Sequence, residues 1–295
     1  MRIADCGLRI EALLARSACY HALSVLLRHP DADTVKWLMT HEYRCLPECM
    51  GFLQVDGSSY LRESVQRLVA VLDSASIDKF REAKCMWTQE YERIFGHSVQ
   101  SPAPPYELEY GEEHSHRQPQ ELGDIAAFYQ AFGLRVASLS HERVDHIVTE
   151  CEFLQYLLYK QACALDEEAE EHANVCEAAA RRFLADHLGR WGPAFALRLS
   201  QVAGEGTLGR IAEVALEWVL QECVRMQVSA GARDLPLRLP KERDEVGCAA
   251  CALPLNFTSR NLSSHALTPC RAAAPLGPGA ETSPSAMREG VGSPG

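Results

Sequence analysis

The chain has 295 residues, 47% hydrophobic and 7% aromatic, enough apolar material for a buried core without disulfide or metal staples. Its formal net charge is −11; seven basic and six acidic residues follow residue 230, so the first 230 residues carry −12. Such a field repels phosphate backbones and anionic lipid and favours a partner segment rich in Lys and Arg, which argues against nucleic acid as a ligand.

In chain order, a first helix is expected from about Arg9 to Arg28, ended by His29-Pro30-Asp31 because proline cannot continue a helix and restricts its predecessor. Arg9, Glu11 and Arg16 interrupt the apolar positions between Leu8 and Leu27, so neither a secretion signal nor a membrane span is expected, and the expected location is cytoplasmic. Residues 43–59, with Pro47, Gly51 and Gly57, read as irregular. Leu61, Val65, Leu68, Val69 and Leu72 then recur at spacings of three and four, which places them on one helix face.

Phe80, Ala83, Trp87, Tyr91 and Ile94 repeat that pattern, as do Leu122, Ile125, Ala126, Tyr129 and Phe132, with Gly96 and Gly133 as stops. The longest pattern runs through Val144, Ile147, Val148, Cys151, Leu154, Leu158 and Leu165. Cys176, Ala179, Phe183 and His187 form another, and Ile211, Ala215, Trp218, Val219 and Cys223 the last. No sustained alternation of apolar and polar residues with β-branched enrichment calls for a sheet, so the expected class is all-α.

Composition shifts after about Ala230, where prolines recur and the final stretch becomes rich in Gly, Pro, Ser and Ala. The expected organisation is one multi-helix bundle over residues 1–230 and a Pro/Gly/Ser-rich, largely disordered tail over 231–295, with disorder expected from Pro269 onward. Of the twelve cysteines, Cys19, Cys85, Cys151, Cys163, Cys176 and Cys223 fall inside helical patterns, where a small buried thiol is an ordinary core residue.

Two segments carry chemistry. Ser98 to Gly111 is a proline-stiffened loop, with Pro102, Pro104 and Pro105, and it bears Tyr106 and Tyr110. Such a loop loses little entropy on meeting a partner, though the same tyrosines could simply cap the core with their rings. The second segment, Glu142 to Leu154, opens the longest helix; Asp145 and His146 read as neighbours on it, pointing about 100° apart and so not a catalytic pair. Asp145 near a helix start is equally consistent with plain dipole electrostatics.

In combination these residues resemble the TorD/DmsD family of molybdoenzyme maturation chaperones, within the wider NarJ-like group. Glu90-Tyr91-Glu92-Arg93-Ile94-Phe95-Gly96 is similar to the family's Y-x-x-L-F-x-G helix end, Pro102-Ala-Pro104-Pro105-Tyr106-Glu107 to its P-x-P-P-W/Y-E loop, and Val144-Asp145-His146 to its P-D-H segment. Arg16 to Pro30 resembles the family's first helix, so the likeness covers roughly residues 10–225. Ser101, Val144 and Tyr106 depart from the commoner residues, and Pro-Pro-Tyr-Glu-Leu-Glu-Tyr looks closer to the branch serving dimethylsulfide, ethylbenzene, chlorate and selenate oxidoreductases.

The resemblance implies an all-helical protein that catalyses nothing. It would bind the apo catalytic subunit of a molybdopterin oxidoreductase, or its twin-arginine signal peptide, during cofactor insertion. The implied client-binding positions are Pro102, Pro104, Pro105, Tyr106, Asp145 and His146, with Glu107 and Tyr110 in the same loop. Carboxylates suit a peptide with consecutive arginines because they accept paired hydrogen bonds from guanidinium.

Cys248-Ala-Ala-Cys251, followed by His265 and Cys270, has a spacing that could supply four ligands to zinc. Loose thiols and a redox role are the other readings of this set, so a metal-binding or redox accessory protein is the alternative function. His114-Ser-His116 beside Glu112 and Glu113 reads as a polar turn, and no P-loop, G-x-S-x-G or H-E-x-x-H motif occurs.

Overall fold

The computed structural model describes residues 3–53, 59–74, 87–96, 101–111, 118–136 and 143–238. Within them the chain runs as α1 (Ile3–Leu27), α2 (Ala32–Met39), α3 (Cys45–Phe52), α4 (Ser59–Ser74), α5 (87–94), α6 (Gln118–Ala131), α7 (Ile147–Asp166), α8 (Glu170–Asp186), α9 (Leu188–Ala203) and α10 (Thr207–Arg225). Among the described residues there is no strand, only isolated bridges, so the all-α expectation is met.

Periodicity explains the packing. Leu61, Val65, Leu68 and Leu72 of α4 are buried, and that face packs on α10, whose own Ile211, Ala215, Trp218 and Val219 are buried. α1 lies along α7, and α7 in turn packs on α8, with α9 and α10 forming a second pair. At the ends of α5 and α6, Gly96 and Gly133 take φ of 56° and 72°, the left-handed conformation that stops a helix with no Cβ clash.

By length and composition α1 is, among the described residues, a helix that could cross a membrane, which narrows the expectation that no segment reaches that size. Its apolar face is spent inside the bundle, where Tyr20, Leu23, Leu26 and Leu27 are buried. Arg16, at mid-helix, donates from Nε and Nη2 to the fully buried Glu222 of α10 at 2.9 to 3.1 Å. A bidentate pair of this kind is strong in geometry but offset by the desolvation of both ions, so it fixes register more than it adds stability.

Residues 43–59 differ from the irregular reading. A 3₁₀ turn at Glu42–Arg44 leads into α3, and Leu46, Cys49 and Met50 are buried. Pro47 sits in the first turn of α3, where no intrahelical donor is required, so it is compatible with the helix it seemed to exclude. Similarly, α2 begins directly after Pro30 because Asp31 caps it, accepting from the Thr34 backbone N–H at 2.9 Å.

α9 had no counterpart in the pattern. It contains Pro193, which cannot donate to the carbonyl of Gly189; the Gly231 N–H does so instead, at 2.9 Å. The chain therefore stays on the body beyond Ala230. Gly111 N–H donates to the Pro236 carbonyl and Arg238 N–H to that of Glu109, both at 2.9 Å, while the Arg238 side chain pairs with Glu121.

Cys19, Cys49, Cys151, Cys176 and Cys223 are buried free thiols, and Cys45 and Cys163 are half-buried. Cys85 lies outside the described residues, as do His114, His116 and the tail set Cys248, Cys251, His265 and Cys270.

Candidate functional site

Pro105, unable to donate, leaves its carbonyl to do the work of joining the two singled-out segments. That carbonyl accepts from the Ile147 N–H at 2.9 Å, and the Glu107 N–H donates to the Asp145 carbonyl at 2.9 Å, forming a short antiparallel bridge between Tyr106 and His146. Thus the proline loop and the start of α7 form one unit, and the 3₁₀ turn Glu107–Glu109 follows at once.

Asp145 and His146 do not lie on the helix. His146 is extended, with φ −76° and ψ 137°, and is the cap of α7, its Nδ1 accepting from the Val148 N–H at 3.2 Å. That bond fixes a neutral ring protonated on Nε2. Burial, assisted by the nearby Arg143 guanidinium, drives the His146 pKa down to about 3. The ring stands edge-on to Tyr106, with centroids 5.2 Å apart.

Asp145 is 0% exposed, and its carboxylate faces the loop instead of the helix dipole. It accepts from Arg143 at Oδ1 (2.9 Å) and Oδ2 (2.7 Å), and from the Leu108 backbone N–H at 3.2 Å. Arg143 also reaches Glu109 at 3.0 Å and lies over the Tyr106 ring, 4.5 Å from its centroid. Tyr129 closes the back of the turn, its hydroxyl donating to the Val144 carbonyl at 2.8 Å.

Glu107, 1% exposed, faces inward toward α9. Its carboxylate meets Nδ1 of His187 at 3.1 Å and pairs with Arg190. Burial pushes the carboxyl up, but His187 and Arg190 more than reverse this and hold it below the usual range. Glu150, 0% exposed, hydrogen-bonds the same group and accepts from the Trp191 indole N–H at 3.0 Å. Burial, together with the Glu107 charge, raises Glu150 well above an ordinary carboxyl.

The expected positions are therefore brought together but unequally placed. Pro104, Pro105, Glu107, Tyr110, Asp145 and His146 are buried, Tyr106 is half-buried and Pro102 is exposed. Tyr110 is not presented to solvent; it packs on Trp191 and Phe195 with centroids 5.4 and 6.5 Å away, and burial raises its hydroxyl pKa. Sequence reasoning assigned no role to Arg143, Glu150, Arg190 or Trp191, and placed His187 only on an apolar helix face. Of these, Arg143 alone had a local signal, two residues ahead of a carboxylate that needed a cation.

Among the described residues no cluster of His, Cys, Asp and Glu is disposed to hold a metal ion. The site is a clamp whose ionised groups are answered from within the chain, with an aromatic and proline rim at its surface.

The chain matches the model of the nitrate reductase delta subunit family over residues 58–197, a span that includes the loop, α7 and α8. It is 27% identical over 191 residues to a perchlorate reductase assembly chaperone protein of Dechloromonas aromatica, covering 63% of this chain and 78% of that one. Over 80 residues it is 39% identical to a chlorate reductase assembly chaperone protein of Ideonella dechloratans, and over 78 residues 36% identical to a selenate reductase assembly chaperone protein of Thauera selenatis. Each of these two shorter matches covers 26% of this chain and 39% of the relative. Over residues 58–197, just under half of its length, the chain is thus similar to the nitrate reductase delta subunit family, in agreement with the all-helical fold and the proline loop.

Proposed function

We propose that this protein is a cytoplasmic chaperone that holds the apo catalytic subunit of a molybdopterin oxidoreductase of the nitrate-reductase-like branch while its cofactor is inserted. It is a binding protein and catalyses no reaction. The relatives' names, as assembly chaperones of perchlorate, chlorate and selenate reductases, support this client class.

One observation carries the assignment of the contact to the proline loop. The loop is held from beneath by Asp145, Arg143 and Glu107, while Pro102 and the rim of Tyr106 remain at the surface. A preformed rim of this kind orders little on binding, which favours affinity. In this reading Pro102 and Tyr106 touch the client. Pro104, Pro105, Glu107, Tyr110, Asp145 and His146 position them.

A twin-arginine signal peptide is a narrower form of the same proposal. The inner carboxylates are already paired with Arg143 and Arg190, so an incoming arginine would have to share Glu109 or stack on Tyr106 in competition with Arg143. Calorimetry with the apo subunit and, separately, with its signal peptide tests both forms. Tyr106→Ala should weaken subunit binding about tenfold, on the order of 1.4 kcal/mol, with helical content unchanged. Wild-type affinity in that variant would remove the loop from the interface.

A further inference from the structure

Far from the loop, four arginines line one cleft in an otherwise acidic body. Arg9 and Arg16 come from α1, Arg181 from α8 and Arg225 from the end of α10, joined by Gln161 of α7 and Glu177 of α8, around a volume of about 420 Å³. Arg9 and Arg16 are two helical turns apart and so share a face; Glu177 and Arg181 are one turn apart. Gln161 stands roughly 21 Å along α7 from the Ile147 end at 1.5 Å per residue, so the cleft is separate from the loop clamp.

The charges in this cleft do not cancel. Glu222 takes both Arg16 and Arg225, and Glu177 takes Arg9 and the Gln161 amide. Arg181 donates to the carbonyls of Met226 and Gln227, which it needs to do because α10 ends there with unanswered acceptors. Two carboxylates against four guanidinium groups leave two positive charges, in a region of chain that carries −12 over its first 230 residues. All these bonds run through Nε or Nη2, and Nη1 of each arginine is bonded to no described residue.

Arginine forks match tetrahedral oxyanions in paired fashion, and a volume of this size falls within the usual ~300–1,000 Å³ of small-molecule sites. Inside a protein that repels anions elsewhere, the arrangement selects a compact ligand with several negative charges over an extended acidic chain, which would have to cross the negative surface. We infer that this cleft binds a small molecule bearing a di- or triphosphate group.

Calorimetry of the full chain with inorganic tripolyphosphate tests this, with hexaglutamate peptide as the competing ligand at equal ionic strength. Tripolyphosphate should bind saturably at one site and raise the thermal midpoint. The double variant Arg9→Gln/Arg181→Gln should bind at least tenfold more weakly. Arg9→Gln alone, at a partly exposed position, should weaken binding about threefold and keeps the test valid if the double variant misfolds. Absence of saturable binding, unchanged affinity in either folded variant, or equal affinity for hexaglutamate would overturn the inference. Because the cleft is remote from Tyr106, none of these results bears on client binding.

Discussion

Arg143 grips Asp145 through two parallel hydrogen bonds, 2.9 Å from Nε to Oδ1 and 2.7 Å from Nη2 to Oδ2, while its guanidinium face covers the Tyr106 ring at 4.5 Å. One side chain thus ties the start of α7 to the surface rim of the loop. Asp145→Ala should cost about 3 kcal/mol, near the lower end for removing one partner of a buried pair, because Arg143 keeps partial access to water. Arg143→Lys should cost about 1–2 kcal/mol, since an ammonium cannot make the fork. Urea unfolding measures both; losses under half a kcal/mol in both would mean that the grip does not hold the loop.

His146 sets a pH dependence whose sign can be worked out. Its folded pKa is about 3 against an ordinary value near 6.5, so between these limits the unfolded chain binds a proton that the native chain does not. Stability from this group is complete above about pH 6.5 and is lost as pH falls toward 3. His146→Asn keeps an acceptor for the Val148 N–H and removes the titration. The slope of unfolding free energy between pH 6.5 and 5, above the carboxylate range, should therefore flatten by up to about 1.4 kcal/mol per pH unit in the variant. An unchanged slope would show that His146 titrates normally in the folded protein.

How much of this was legible in the sequence differs between fold and site. The α4 face was readable because Leu61, Val65, Leu68 and Leu72 obey helical spacing without interruption. α3 and α9 were not, because Pro47 and Pro193 look like breakers, and only the structure shows one in a first turn and the other relieved by Gly231. The loop and the α7 start could be paired by motif. Their burial could not, since the partners that make it tolerable, His187 and Arg190, come from α8's end and α9, about eighty residues from Glu107. Long-range charge pairing leaves no local periodicity to read.

Glu150 gives a dependence of opposite sign. Its folded pKa is raised by burial and by Glu107, so the native chain holds a proton the unfolded chain releases, and its contribution worsens as pH rises above the ordinary carboxylate value. Glu150→Gln retains an oxygen for the Trp191 indole and needs no proton. It should be more stable than wild type by about 1–3 kcal/mol at pH 8 and nearly equal to it near pH 4. Thermal melts at the two pH values decide this. A variant less stable at pH 8 would show that an ionised Glu150 is what the site requires.

The contacts made by residues 231–238 predict where the chain can be cut. Ending it after Ala230 removes the Gly231 N–H that answers the Gly189 carbonyl, the Pro236 and Arg238 backbone bonds to Gly111 and Glu109, and the Arg238 pair with Glu121. Each net hydrogen bond is worth about 1 kcal/mol, so this truncation should cost about 2–4 kcal/mol and loosen the turn bearing Tyr110. Ending it after Pro240 keeps all of these contacts, so that fragment should unfold at the same urea concentration as the full chain. The same pair of proteins addresses Cys248, Cys251, His265 and Cys270. If these bind zinc, metal analysis should find about one ion per full chain and none in the 1–240 fragment, and equal zinc in the two would exclude the tail as a metal site. Equal stability of the two truncations would instead place the edge of the folded body at residue 230 and reduce the pairing of Leu237 with Tyr110 to a surface contact.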